Sequence, residues 1–175
     1  FNEGHSTVRE LIIEDDGSSF YNRGVIDKSG NVVIKINDKY SALGIFKEGM
    51  IAFHEDDNDE KGYLNIDGKE IIKDKDWTSV EDFHNGHAII SEDGEWGLIN
   101  KKGEKVIKTR YKEPLIFYNG LAAFSDDKGY GYIDLDRETI IECDYNDALP
   151  FLGNGAYVKD GKDWIFIDKS KILSN

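Results

Sequence analysis

The residues best suited to chemistry are carboxylates. Glu55-Asp56-Asp57-Asn58-Asp59-Glu60 sets oxygen-bearing side chains in an unbroken row, as a calcium loop does. An EF-hand loop needs oxygen ligands at alternate positions, glycine at the sixth and glutamate at the twelfth. Counted from Asp57, the fifth position is Lys61 and the twelfth is Gly68, so the pattern fails. Weak divalent-cation binding along acidic loops is one reading. The plainer one is a set of solvated turns that keep the chain soluble. His84 and His87 form His-x-x-His across Asn85-Gly86. Zinc needs three or four ligands in fixed geometry, and no third is indicated. Cys143 is the one cysteine, which excludes an internal disulfide and a cysteine-based zinc cluster. No base is indicated to activate it as a nucleophile. Gly-x-Ser-x-Gly, a Walker loop and His-Glu-x-x-His are all missing. Gly129-Tyr130-Gly131 lacks the third glycine of a dinucleotide loop and falls inside a strand pattern. The expectation is a chain that is not an enzyme, with no catalytic residue, metal ligand or cofactor.

Aromatic residues are the other candidates. Trp77, Trp96, Trp164 and several tyrosines recur at regular spacing, and exposed in a row they could stack on sugar rings or clamp a peptide. The physical default is that recurring aromatics stitch neighbouring units together. Tyr118 and Tyr157 fall outside the recurring pattern and are the candidates for a partner surface.

Charge narrows the partners. The net charge is -13 and the pI near 4.7. Phosphate repulsion then disfavours nucleic acid, and an anionic membrane surface is disfavoured for the same reason. No apolar run approaches the roughly 18 residues of a transmembrane helix, so membrane insertion is not expected. FNEGHSTVRE at the start lacks the basic residues and apolar core of a signal peptide. The single cysteine does not decide between cytoplasm and exterior.

These side chains hang on a repeat. Gly97-Leu98-Ile99-Asn100 has counterparts at Gly24, Gly62 and Gly131, and a fifth at Ile165 with isoleucine in the glycine slot. The intervals are 38, 35, 34 and 34 residues. The residue before the slot is Arg23, Lys61, Trp96, Tyr130 and Trp164 in turn, which marks a packing position. A second landmark, Phe-x-x-Gly, begins at Phe1, Phe46, Phe83 and Phe117, and FLGNG at Phe151 reads as the same landmark with one extra residue. Tyr40, Trp77, Tyr111 and Tyr145 each stand six residues before one of the last four. Five units therefore start near residues 1, 46, 83, 117 and 151 of a single domain, 1–175. The first is longer between Gly4 and Gly24.

Each unit reads as three short strands, shown best by LAAFS, YGYIDL and ETIIEC. Asp27-Lys28-Ser29-Gly30, Asn65-Ile66-Asp67-Gly68 and Asn100-Lys101-Lys102-Gly103 join the second strand to the third. An Asx side chain opens such a turn, and glycine takes the left-handed place three positions later. Arg137 and Lys171 stand in glycine's place in the last two units, at a cost of about 1 kcal/mol each if the turn is kept. The link between first and second strands is acidic in every unit.

Glu95-Trp96-Gly97-Leu98-Ile99-Asn100, then Lys102-Gly103-Glu104-Lys105-Val106-Ile107, Tyr111 and Phe117-Tyr118-Asn119-Gly120-Leu121-Ala122 resemble the WG (KWG) repeat of bacterial proteins. The resemblance covers essentially the whole chain, although the Trp-Gly pair is intact only at Trp96-Gly97. It implies a β-rich tandem repeat, usually part of a larger bacterial protein, with no catalytic residues to carry over. The expected fold is all-β: about five three-stranded antiparallel units in an open superhelical, solenoid-like stack. The alternative is a propeller-like ring, with segments such as Tyr111 to Phe117 supplying a fourth strand. The expected function is a non-catalytic module for protein or peptide interaction. A cell-surface or wall glycan-binding module using exposed aromatics is the alternative. Neither end carries a polar cap, so the chain is expected to be a segment of a longer protein or to pair its ends with another copy.

Overall fold

The computed structural model describes residues 1–136 and 139–172. Arg137, one of the two residues read in glycine's place, lies outside them, as does the side chain of the other, Lys171. The described chain is all-β except for one final helical turn. The first sheet holds β1 (His5–Ile13), β2 (Ser19–Asp27) and β3 (Val32–Asn37). The second holds β4 (Tyr40–Leu43), β5 (Ile51–Glu55), β6 (Lys61–Leu64) and β7 (Glu70–Asp74). The third is β8 (Trp77–Val80), β9 (His87–Glu92), β10 (Glu95–Asn100) and β11 (Lys105–Tyr111). The fourth is β12 (Leu121–Ser125), β13 (Tyr130–Asp134) and β14 (Thr139–Tyr145). The fifth is β15 (Asp147–Ala148), β16 (Gly155–Asp160) and β17 (Asp163–Asp168), followed by α1 (Lys169–Ile172). Neighbours in each sheet are neighbours in sequence. The chain divides into two compact units, Phe1–Asp93 with Ile99–Glu104, and Gly94–Leu98 with Lys105–Asn175, so the division falls within β10.

The turns form as their residue types require. The Asp27 carboxylate accepts the backbone N–H of Ser29 and Asn31, Gly30 closes the turn on Asp27 O, and Gly30 sits at φ 83°. Asn65 with Gly68 and Asn100 with Gly103 repeat this arrangement. In the first, second and fourth sheets the register then slips by one residue: Val25 faces Ile34 while Ile26 faces Val32, Tyr63 faces Ile72 while Leu64 faces Glu70, and Tyr132 faces Ile141 while Ile133 faces Thr139. In these sheets the last strand is thus bulged against the one before it.

The core lies between sheets. In the first compact unit, Val25 and Ile34 of the first sheet pack with Tyr40, Phe46, Ile51, Phe53 and Leu64 of the second. Ala52 and Tyr63 of the second sheet pack with Trp77, Phe83, Ala88, Ile90 and Ile99 of the third. In the second compact unit, Leu121 and Tyr132 pack with Phe151, Ala156 and Val158. One sheet alone cannot bury its apolar face, which is why the pattern must repeat.

Two readings are corrected in detail. The second and third sheets have four strands, because the segments at Tyr40 and Trp77 pair as β4 and β8. The segment named for this role, Tyr111 to Phe117, forms no strand beyond Tyr111. Pro114 stands where β4 has Leu43 and β8 has Val80, and its ring fixes the backbone there. Nor does FLGNG carry an extra residue. Leu152 bridges Gly155 across two residues, as Tyr118 bridges Leu121. The glycine has changed places: Gly153 comes first, at φ 61°, where Asn119-Gly120 puts glycine second.

Candidate interaction surface

The glycine slot has a steric cause. A Cβ on Gly24, Gly62, Gly97 or Gly131 would stand under 3.0 Å from the carbonyl oxygen of Ile34, Ile72, Ile107 or Ile141 respectively. The bulged third strand lays its backbone directly over the slot, and only a hydrogen fits beneath it. Ile165 occupies the fifth slot, and among the described residues no strand pairs with β17 on that side. Trp96, beside the slot, is half-buried, and Trp164 is exposed.

The residue after the slot joins one sheet to the next. Tyr63 and Tyr132 are fully buried. Their rings meet Phe83 at 4.7 Å and Phe151 at 5.0 Å, edge to face. Each hydroxyl donates to a carbonyl of the following sheet's first segment, Tyr63 to Glu81 O at 2.7 Å and Tyr132 to Leu149 O at 2.6 Å. Burial pushes both phenols well above their ordinary range. Phe46, Phe83 and Phe151 are interior, and Phe117 is half-buried. Of the aromatics six residues upstream, Tyr40, Trp77 and Tyr111 are interior, at 5%, 3% and 5% exposed, and Tyr145 is half-buried. Aromatics on the surface include Tyr118, Tyr157 and Trp164.

The Phe-x-x-Gly landmark is a two-residue turn. Glu3, Glu48, Asn85 and Asn119 adopt φ of 47–52°, and the glycine after each adopts 81–83°. Both central residues are left-handed, as a type I′ hairpin turn requires. Sequence reading found the landmark without seeing that its third residue carries this conformation. The glutamates clasp successive turns. Glu3 accepts the N–H of Glu48 at 2.7 Å and of Gly49 at 3.1 Å. Glu48 accepts the N–H of Gly86 at 2.9 Å, and Lys101 Nζ lies 3.1 Å from its carboxylate. Desolvation would raise the Glu48 carboxyl, but the hydrogen bonds from Gly86, Lys101 and Asn85 outweigh it and hold the group below its ordinary range.

Two grooves open between consecutive sheets of the first compact unit. One, of about 530 Å³, is lined by Phe20, Tyr21 and Arg23 of the first sheet and by Lys39, Ser41, Asp56 and Asp57 of the second. The other, of about 330 Å³, has Ala42, Phe53, His54 and Lys61 on one side and Thr78, Val80, Glu81 and Asp82 on the other. Lys61 is buried at its mouth, bonded to Asp59 O at 3.0 Å and Asp59 Oδ1 at 2.9 Å. His54 Nε2 meets the same carboxylate at 2.5 Å. Burial pushes the Asp82 carboxyl up, against the Ile45 N–H that it accepts.

The acidic run is partly engaged. Glu55 is buried beside Lys39, Glu60 pairs with Lys73, and Asp56 and Asp57 are exposed. No group of three or more His, Cys, Asp or Glu side chains among the described residues is placed to hold a metal ion. His84 and His87 face each other across the type I′ turn at Asn85-Gly86. Cys143 is buried, and burial with the nearby Asp126 carboxylate pushes its thiol up to about 11, so it is protonated at neutral pH. Among the described residues no helix is long and apolar enough to cross a membrane.

The period of the slot decides the family. The model of the WG containing repeat matches residues 24–58, 62–96, 96–129 and 130–164. The chain belongs to the WG-repeat family. All four matched WG repeats begin at the slot or the residue before it, at Gly24, Gly62, Trp96 and Tyr130. No curated protein matches the chain. Among solved structures it is similar to Hsv2 of Kluyvelomyces marxianus, with 11% identity and a TM-score of 0.51 over 92% of this chain and 64% of that one. Two structures of Hsv2 from Kluyveromyces lactis give TM-scores of 0.50 at 8% and 10% identity, over 94% and 90% of this chain and 61% of each of those. The WG-repeat chain thus spans less than two thirds of the solved chains that it matches. The likeness is one of fold alone. Hsv2 is a propeller, which fits the ring alternative read from the sequence.

Proposed function

We propose that the chain is a non-catalytic interaction module whose intersheet grooves take an extended, basic segment of a partner protein. The observation that carries this reading is the pairing of apolar walls with carboxylates in both grooves: Phe20 and Tyr21 beside Asp56 and Asp57, and Phe53 and Val80 beside Glu81 and Asp82. A peptide buries apolar side chains against such walls, while its lysines and arginines meet the carboxylates. β8 is an edge strand and Thr78, Ser79 and Val80 line the second groove, so backbone pairing with an added strand is open there. The test is a titration of the full chain with a set of extended peptides matched in length and differing in charge, read by tryptophan fluorescence and calorimetry. Basic peptides bind, acidic ones do not, and the double change Asp56→Asn with Asp57→Asn weakens binding about tenfold at low salt. Equal retention of acidic peptides, or no binding by any, overturns the proposal.

A further inference from the structure

A buried lysine in the second groove has an exposed counter-ion. Lys61 is 7% exposed, and an ammonium so far from water needs a neutralising charge. It takes that charge from Asp59, whose side chain is 80% exposed. Asp59 stands in the acidic loop between β5 and β6 at φ 55°, a backbone that favours glycine. His54 Nε2 donates to the same carboxylate oxygen that Lys61 holds. The two together, Lys61 foremost, keep the Asp59 carboxyl below its ordinary range. Asp74 is half-buried and opposite Lys61 in register, but its carboxylate accepts the backbone N–H of Asp76. The lysine is thus neutralised from a solvated loop, where a carboxylate from outside can exchange with Asp59.

The groove carries charge of both signs, at two levels. Lys61 pairs with His54 in register across β5 and β6, so both side chains leave the sheet on one face. Ala52 is on that face two residues from His54, and Gly44 N–H donates to its carbonyl. Asp82 reaches the level of Ala52 from the third sheet. A Cβ on Gly44 would stand under 3.0 Å from Asp82 Oδ1, and Ile45 N–H donates to that oxygen. The two levels are about 7 Å apart along β5. His54, Lys61, Glu81 and Asp82 are the titratable groups that line the groove, with Ala42 and Val80 as apolar wall. Lys47, outside the lining, acts on Asp82 as a nearby positive charge.

An extended segment matches this layout. Its side chains two residues apart share a face and are also about 7 Å apart. A base and an acid at that spacing meet the carboxylates at one level and the cations at the other.

We propose that the second groove recognises an extended segment with an acidic side chain two residues from a basic one. The acid displaces Asp59 from Lys61 and His54, while the base meets Asp82 and Glu81. This rests on the groove reading above and adds to it a carboxylate that the segment must bring. Asp59 holds the place until the segment arrives.

The experiment is calorimetric titration of the full chain with three extended peptides, equal in length and net basic. The first has Glu two residues from a central Lys. The second has Gln in that place, and the third has the Glu one residue from the Lys, on the opposite face. The first binds about tenfold more tightly than either of the others. Lys61→Trp removes the cation and supplies the residue type found at the same position in Trp96 and Trp164. With the fold confirmed by circular dichroism, it erases the difference between the first peptide and the second. Asp59→Asn keeps a residue that tolerates a left-handed backbone, removes the competing charge and widens that difference. Equal binding by the first peptide and either of the others overturns the inference and leaves the groove reading standing. So does a difference that survives Lys61→Trp, or one that Asp59→Asn fails to widen. No binding by any of the three sinks the groove reading, and this inference with it.

Discussion

At the scale of single residues, the slot glycine does the most. Its role is to be absent at Cβ, because a carbonyl oxygen of the third strand lies over it. Gly62→Ala is expected to cost about 3 kcal/mol, since backbone and not a flexible side-chain end blocks the added methyl. Urea unfolding measures this. Gly30→Ala, in a left-handed turn with nothing within 4 Å, is expected to cost only about 1 kcal/mol. If the two changes cost the same, the carbonyl is not what selects glycine. Tyr63→Phe tests the other half of the joint. It keeps the ring against Phe83 and removes the hydroxyl from Glu81 O, for a loss of about 1 kcal/mol. The memorable Trp-Gly pair thus separates into a glycine that is required and a tryptophan that is one of several stems able to cover the strand.

At the scale of elements, the type I′ turns are strained for glutamate, which gains nothing locally from a left-handed backbone. Glu3 and Glu48 offset this by accepting the amides of the next turn. The Glu48 carboxyl is held below its ordinary value, so its contribution is whole above the unfolded value of 4.5 and is lost as pH falls through the folded one. Glu48→Gln is therefore expected to lower the melting temperature by about 3 °C at pH 7 and to change little at pH 3. An equal drop at both pH values would deny the charge a part. The Asx turns were legible in the sequence, because Asp27 and Gly30 each have one physical reason to be where they are. The carboxylate clasps were not: Glu3 reaches Glu48 across a separation that no local pattern encodes. The short β4 and β8 strands were half legible. Their aromatics recur, but the aromatic alone does not say whether the segment after it pairs: Tyr111 is buried like Tyr40 and Trp77, yet no strand continues from it through Pro114.

At the scale of the whole chain, the core lies between sheets, so stability is a sum of neighbour terms. Phe83→Ala empties a fully buried site shared by the second and third sheets and is expected to cost about 4 kcal/mol. Amide exchange should then quicken in β5, β6 and β9 and stay slow in β13 and β16. Uniform acceleration would mean that the chain unfolds as one piece. The repeat, its period and its all-β class could be read from spacing alone, because each unit must present the same face to its neighbour. The grooves could not, since their walls come from residues that vary between units.

Ile165 has one more consequence. Ile165 puts a side chain where four other sheets keep only a hydrogen under the third strand, so Ile165→Gly would give β17 the slot those sheets have. A synthetic peptide carrying the β14 sequence, Thr139–Tyr145, should then graft onto the variant and not onto the parent chain. The last sheet becomes a programmable clasp, opened by the loss of four carbons.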